Sequence, residues 1–351
     1  MQQLIKSTNI LHDIETTLNL ISHDKLFILT DEQTNLLCLP LLESLKPIRK
    51  ATKITIPSED KNKTLETLSF VWKKLTENGA TRHSLLINLG GGMVTDLGGF
   101  AAASFKRGIA YINVPTTLLG AVDAAVGGKT GINFEGYKNE IGAFYPACFV
   151  LISTDFFRTL SHEAILSGYA EMLKHALISS PSEWEETIAF SFDDINYERL
   201  NELLFRSVQI KQQIVDKDPT EKNIRKALNL GHTIGHAFES FAIAQNRSIP
   251  HGYAVAWGMI AELYLSHRQC GFPKEELMKT VRFIQQHYGA FDVLCSDYEV
   301  LYEIAKHDKK NEGDRINFAL LANIGEVKID QTVDKEIVFE SLDFYRDSVG
   351  L

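Results

Sequence analysis

SLLINLGGGMVTDLGGFAAA, residues 84–103, is the stretch that decides the fold. Its opening run is almost wholly apolar, which predicts a short strand buried on both faces. Gly90, Gly91 and Gly92 end the strand, and a helix is predicted to follow them directly. A strand that passes through glycines into a helix is the first half of a βαβ unit. It brings backbone N–H groups at the helix N-terminus within reach of a pyrophosphate. The pattern is GGGxxxD and not GxGxxG, and glycines after a strand also make an ordinary tight turn. Taken alone, the loop leaves nucleotide binding open.

Outward from this stretch the same rhythm repeats. KLFILT (25–30), ATKITIP (51–57), AYINVP (110–115) and CFVLIS (148–153) read as buried strands of about six residues. KNKTLETLSFVWKKLTENG (61–79) has helical periodicity and ends on a glycine, as helix C-termini often do. Strands separated by helices predict a parallel sheet with crossover helices, hence an α/β domain over residues 1–153. From residue 154 to 351 the character changes. HEAILSGYAEMLKHALIS (162–179), YERLNELLFRSVQIKQQIV (197–215) and KEELMKTVRFIQQHYG (274–289) space their apolar residues at i, i+3 and i+4, predicting a mainly helical domain. INFALLANIGEVKI (316–329) is the exception and reads as a hairpin around Asn-Ile-Gly. No Pro/Gly-rich linker separates the halves, so a cleft shared by the two domains is expected.

Composition narrows the partners. The 351 residues are 44% hydrophobic and 23% charged, ordinary for a globular protein. A net charge of −9 argues against nucleic acid, whose phosphates call for a surplus of Lys and Arg. The most apolar stretch, YAVAWGMIAELYL (253–265), is too short for a membrane span and contains a glutamate. MQQLIKSTNI lacks the basic-then-apolar plan of a signal peptide. Cys38, Cys148, Cys270 and Cys295 form no CxxC pair and read as buried reduced thiols, so a cytoplasmic protein is expected.

Two regions concentrate chemistry. VPTTLLGAVDAAVGGKTGINFEGYKNEIGAF (114–144) reads as a long loop holding paired threonines, Asp123, Lys129, Lys138 and Asn139. Such density suits a binding loop better than a solvated surface loop. ALNLGHTIGHAFES (227–240) puts His232 and His236 on one helix face without the glutamate of an HExxH site. IPHGYAVAWGM adds His251 at an expected helix start, and SGYAEMLKHAL adds Glu171 and Lys174 on one face of an apolar helix. A buried carboxylate and ammonium need partners, whether a metal, each other or a ligand. Three N/O ligands with an open position would make a catalytic zinc site, but spacing does not choose them from Glu171, His175, His232, His236 and His251.

Together these segments resemble the dehydroquinate synthase family of sugar phosphate cyclases. GGGMVTDLGGFAAASFKRG, VPTTLLGAVDAAVGGKTGIN, YKNEIGAF, GYAEMLKHALI, RKALNLGHTIGHAFE, HGYAVAWGM and HDKKNEG follow its pattern in order, from about residue 26 to 326. The resemblance implies zinc or cobalt on Glu171, His232 and His251, with His236 handling protons beside the substrate. It implies an NAD site at Asp31, Asp60, Lys63, Gly91, Gly92, Asp96, Thr116, Thr117, Lys138, Asn139, Phe156 and Thr159. Substrate groups correspond to Asp123, Lys129, Asn139, Lys174, Lys211, Arg225, Asn229 and Lys310. Arg107 is expected to reach the other subunit's site, so the family implies a homodimer. Three positions depart from the pattern: Thr95 replaces a glycine in GGGxxGD, Gln33 a ribose-side asparagine, and Asp60 a glutamate before Lys63.

The implied reaction converts 3-deoxy-D-arabino-heptulosonate 7-phosphate, a phosphorylated sugar acid, to 3-dehydroquinate and phosphate in the shikimate pathway of aromatic amino-acid biosynthesis. It runs through transient NAD oxidation, phosphate elimination, re-reduction and intramolecular aldol closure. Another sugar phosphate cyclase shares the metal and cofactor chemistry, but Arg225 with Asn229 suits the carboxylate of the heptulosonate. A metal-dependent glycerol or alcohol dehydrogenase shares the fold, yet has no use for so many phosphate-directed cations.

Overall fold

The computed structural model describes residues 2–135, 137–306 and 316–351, and contacts divide it into two compact units. The first comprises residues 1–161 and 195–212; the second comprises 162–194 and 213–351. This differs from the single break expected after residue 153, because the start of one long helix belongs with the first unit.

In the first unit the elements are β1 (Gln3–Lys6), α1 (Ile10–Leu20), β2 (Leu26–Asp31), α2 (Glu32–Leu37), α3 (Lys46–Lys50), β3 (Thr52–Ile56), α4 (Leu65–Glu77), β4 (Leu85–Gly90), α5 (Gly92–Ser104), β5 (Ala110–Pro115), β6 (Lys129–Phe134), β7 (Tyr137–Phe144) and β8 (Phe149–Ile152). Six of the strands form a parallel sheet in the order β1-β8-β5-β4-β2-β3. Every residue of β4 is buried, as the unbroken apolar run of Leu85–Leu89 requires of a strand covered on both faces. Within that core, Asn88 donates its side-chain amide to Asn113 Oδ1 on the neighbouring strand at 2.9 Å, and Asn113 Nδ2 donates onward to the Ala125 carbonyl at 3.2 Å. The strand order reverses at β2. The chain moves from β2 outward to β3, then returns across β2 to β4, so the connections leaving β2 and β4 part at their carboxyl ends.

Two parts of this unit differ from expectation. Residues 114–144 are not a continuous loop: after a short π-helical turn at Gly120–Ala124 they form an antiparallel hairpin, with Lys129 opposite Phe144 and Ile132 opposite Ile141. Almost all of β7 is exposed, so the chain shows no inside–outside alternation there, and the glycines further mask the strands. The N-terminal MQQLIK contributes β1, which is too short and polar to announce itself but pairs in parallel with β8.

The second unit holds α6 (His162–Leu177), α7 (Pro181–Ile188), the end of α8 (Tyr197–Lys217), α9 (His232–Ala244), α10 (His251–Cys270), α11 (Lys274–Tyr288), α12 (Tyr298–Lys306) and α13 (Lys335–Val349). The expected hairpin is present as β9 (Asn317–Asn323) and β10 (Glu326–Thr332). Helices α6 and α10 are buried over most of their length, which explains why their apolar residues are continuous rather than striped. No helix among the described residues is long and apolar enough to cross a membrane.

All four cysteines are free, but they are not uniformly buried: Cys38 is 4% exposed, whereas Cys295 lies at the surface. Burial pushes the Cys38 thiol up to about 11. Thiolate is the reactive form, so alkylation of the folded protein near pH 8 is expected to label Cys295 within minutes and Cys38 only on unfolding. Equal labelling rates at the two, measured by peptide mass spectrometry, would contradict this packing.

Candidate active site

In the α/β unit, the glycines of β4 and α5 lie beside the point where the strand order reverses. Gly91 is the N-cap of α5, and no side chain caps that helix end. Its first N–H groups therefore offer an anion site in which the helix dipole favours negative charge. Asp31 ends β2 on the other side of the reversal, and its Oδ1 accepts from the Thr34 N–H at 2.8 Å. Thr116 N–H donates to the Gly90 carbonyl, and Thr117 Oγ1 accepts from the Gly120 N–H, so the two threonines brace the segment after β5. Thr95 fills the departure from GGGxxGD without an unsatisfied hydroxyl: its Oγ1 donates to the Gly92 carbonyl at 3.0 Å.

Lys63 is 3% exposed, and its Nζ lies 2.5 Å from both Asp96 Oδ2 and Asn139 Oδ1. Burial raises the Asp96 carboxyl even with Lys63 beside it. Asp60 is exposed and accepts from Asn133 through its carbonyl and its Oδ2, while Asn139 N–H donates to Asn133 Oδ1 at 2.9 Å. Lys63, Asp96, Asp60 and Asn139, distant in sequence, thus form one network. A second pair joins Lys211 Nζ to the Asp123 carbonyl and Oδ1, each at 2.5 Å. Lys129 and Lys138 are exposed on the β6–β7 hairpin. Phe156 is fully buried, and Thr159 Oγ1 donates to its carbonyl at 3.2 Å. Exposed Gln33 donates its N–H to Ser58 Oγ at 3.4 Å. Arg107 and Lys106 are exposed with φ of 68° and 50°, and with Arg82 they line a surface pocket.

In the helical unit, Glu171 is completely buried on α6 and ion-paired with Lys174 one turn later. Its Oε1 lies 3.3 Å from His232 Nε2 and 3.6 Å from His251 Nε2. Both rings are anchored through the other nitrogen: His232 Nδ1 to the Leu230 carbonyl at 3.1 Å, His251 Nδ1 to Glu239 Oε2 at 3.1 Å. Nδ1–H donation in each case turns Nε2 toward Glu171 and leaves it as the ring atom that could ligate a metal. His236 adds a third ring, and the ligand atoms of His232, His236 and His251 lie within 4.8 Å of one another. Burial would push the Glu171 carboxyl up, but Lys174, and after it His232, hold it well below the usual carboxylate range. One anionic oxygen and imidazole nitrogens in a partly buried cluster are the donor set of a zinc-type cation. His175, the other candidate on α6, is buried outside this group.

Neighbouring side chains hold the cluster in place. Glu262, fully buried on α10, accepts from the N–H groups of Gly231 and Ile234 at 2.7 and 2.9 Å, so it caps the end of α9 at which His232 sits. Gly231 enters that turn with φ 78°. Gly252, next to His251, donates its N–H to Ser167 Oγ at 3.1 Å, and a Cβ there would collide with the Ser167 carbonyl. Reading the sequence for titratable motifs misses Glu239 and Glu262. Glu239 was visible as the residue seven after His232 on the same helix face; Glu262 gave no signal beyond a charge in an apolar run. Arg225 is buried, with its Nη1 donating to the Pro219 carbonyl at 2.8 Å and its N–H to Asp218. Asn229 donates to Glu221 at 3.4 Å. Lys310 lies outside the described residues.

Family models cover most of the chain: 3-dehydroquinate synthase N-terminal matches residues 53–167 and 3-dehydroquinate synthase C-terminal matches 168–311. A 3-dehydroquinate synthase of Parabacteroides distasonis is 53% identical over 350 residues, covering 100% of this chain and 99% of that one. Among solved structures, a 2-epi-5-epi-valiolone synthase from Streptomyces hygroscopicus with NAD+ and Zn2+ bound is similar at TM-score 0.86 and 22% identity, covering 99% of this chain and 97% of that one. A 2-deoxy-scyllo-inosose synthase complexed with carbaglucose-6-phosphate, NAD+ and Co2+ is similar at TM-score 0.83 and 23% identity, covering 97% and 95%. At these identities the two structures speak for the fold alone.

The Gly252–Ser167 approach generates a prediction whose sign is diagnostic. In an ordinary helix interior Gly→Ala gains about 1 kcal/mol. Gly252→Ala should instead lose about 1–3 kcal/mol through overpacking, and weaken Zn2+ binding as His251 moves away from Glu171. Denaturant unfolding and zinc titration measure the two effects; a stabilised variant with parental zinc affinity would refute the constraint.

Proposed function

Since the chain belongs to the 3-dehydroquinate synthase family, we propose that it converts 3-deoxy-D-arabino-heptulosonate 7-phosphate to 3-dehydroquinate and phosphate, as a carbon–oxygen lyase of the shikimate pathway. The observation that supports the reading most directly is the convergence of two Nε2 atoms on Glu171 Oε1, both rings tethered through Nδ1. Glu171, His232 and His251 would hold the metal, zinc or cobalt, and the uncapped α5 N-terminus with Asp31 would hold NAD. When bound, the metal supplies Lewis-acid polarisation of substrate oxygens and NAD supplies reversible hydride chemistry.

The chain's own residues supply the rest. Lys63, held by Asp96 and Asn139, and Lys138 flank the cofactor site, with Gly91, Gly92, Thr116 and Thr117 shaping its backbone and Phe156 and Thr159 supporting it. Lys129, Arg225 and Lys310 hold the phosphate; Arg225 presents paired donors that match phosphate or carboxylate oxygens. Asn229, with Arg225, meets the substrate carboxylate, and Asn139 is a further substrate contact. His236 exchanges protons with the substrate, Asp123 with Lys211 offers a carboxylate beside an ammonium, and Lys174 supplies a further ammonium. Much of the rate then comes from positioning and preset charge. The chain works as a homodimer in the cytoplasm, Arg107 completing the site of the other copy. The strained, exposed Lys106–Arg107 backbone supports a role for that segment outside its own fold.

NAD used within one catalytic cycle leaves no net reduction. With NAD at about one equivalent per site, many equivalents of phosphate should be released while absorbance at 340 nm stays flat. NADH accumulating in step with substrate loss, without phosphate, would overturn the lyase reading in favour of a dehydrogenase. His236→Ala separates proton handling from metal binding: zinc content should stay at the parental level while turnover falls by roughly 100-fold or more. Loss of zinc in that variant would move His236 into the ligand set.

A further inference from the structure

We infer that Glu239 is a positioning residue for the metal site, fixing the tautomer and ring plane of His251 through the Nδ1–Oε2 hydrogen bond. The inference rests on the proposed reading of His251 as a ligand.

Three observations lead to it. Glu239 lies on α9 at the seventh position after His232, so His232, His236 and Glu239 share one helix face, and the helix that supplies one ring also supplies the partner of another. Its side chain is only 11% exposed, and the bond to His251 Nδ1 is 3.1 Å. A buried carboxylate is costly unless hydrogen-bonded, and here it faces an imidazole that can donate. Thirdly, His251 opens α10 directly after Pro250, a cap residue with no side-chain hydrogen bond of its own to steer the ring.

The two ligand rings solve the same problem in different ways. His232 is steered by a backbone carbonyl two residues before it, an acceptor whose position follows from the turn into α9. His251 is steered by a side chain from a different helix. A carboxylate acceptor also makes the imidazole a stronger donor to a cation than a carbonyl does, because its charge stabilises the polarised ring. Glu239 therefore sets both the aim and the donor strength of His251, without touching the metal.

The test uses the full-length chain, stripped of metal by chelation and titrated with Zn2+ by competition and with Co2+ by absorption. Glu239→Gln keeps the shape and removes the charge. It should weaken Zn2+ binding by about 10–100-fold and shift the Co2+ ligand-field bands, while the metal-free unfolding midpoint stays within about 2 °C of the parent. Glu239→Asp, which retains the charge, should recover part of the affinity. Parental Zn2+ affinity in Glu239→Gln, with binding abolished in His251→Ala, would overturn the positioning role and leave the ligand reading intact. Parental affinity in His251→Ala would overturn both. Weakened binding accompanied by a lowered metal-free midpoint would mark Glu239 as packing support and likewise overturn the inference.

Discussion

The helical unit depends on how closely α10 approaches its neighbours. At Gly252 the backbone of α10 lies so near Ser167 that a single methyl group would collide with a carbonyl. Ser167 is one turn before Glu171 and Gly252 is one residue after His251. The approach of the backbones that carry His251 and Glu171 is thus set by a contact between main chains, which cannot relax by changing rotamer. The His232 ring is placed by the same helix three turns further along, where Glu262 caps α9 beneath it. One helix therefore fixes both histidines against a carboxylate on a third element.

That arrangement also answers how charge survives in an apolar interior. Glu171, Lys174 and Glu262 are all essentially buried on helices whose other residues are apolar. Each is compensated: Glu171 by Lys174 and the imidazoles, Glu262 by backbone N–H groups at a helix end. Buried groups of this kind contribute little net stability, because desolvation offsets most of the attraction. Their effect is to leave one arrangement of the helices satisfied and its alternatives short of partners.

The legibility of the sequence follows from the same physics. Buried parallel strands such as Leu85–Gly90 are visible as unbroken apolar runs, and long helices such as α8 and α11 because burial of one face imposes a period. His232, His251, Glu171 and Lys174 stand out because polar residues in apolar helices need a reason. The β6–β7 hairpin is illegible because β7 is exposed along almost its whole length and β6 is buried in one short glycine-containing run, so neither strand alternates. The network of Lys63, Asp96 and Asn139 is illegible for another reason: it joins a loop, a helix and a strand, and only the three-dimensional fold brings them together. The Cys295 surface position was hidden because a lone cysteine has no pattern to reveal its exposure.

Charge in the α/β unit follows a different rule from charge in the helical unit. Lys63 and Lys211 are buried cations already partnered by Asp96 and Asp123, so each pair is close to neutral as a source of potential. An incoming pyrophosphate gains little Coulomb attraction from a lysine whose field is cancelled 2.5 Å away. The N-terminus of α5 is different, since no side chain caps it and its N–H groups converge where the strand order reverses. The attraction for an anion at that point therefore comes chiefly from backbone dipoles, which are fixed by the fold and cost no reorganisation on binding. The paired lysines then act by geometry: Lys63 ties the segment before α4 to α5 and to the β6–β7 hairpin, holding the hairpin against α5.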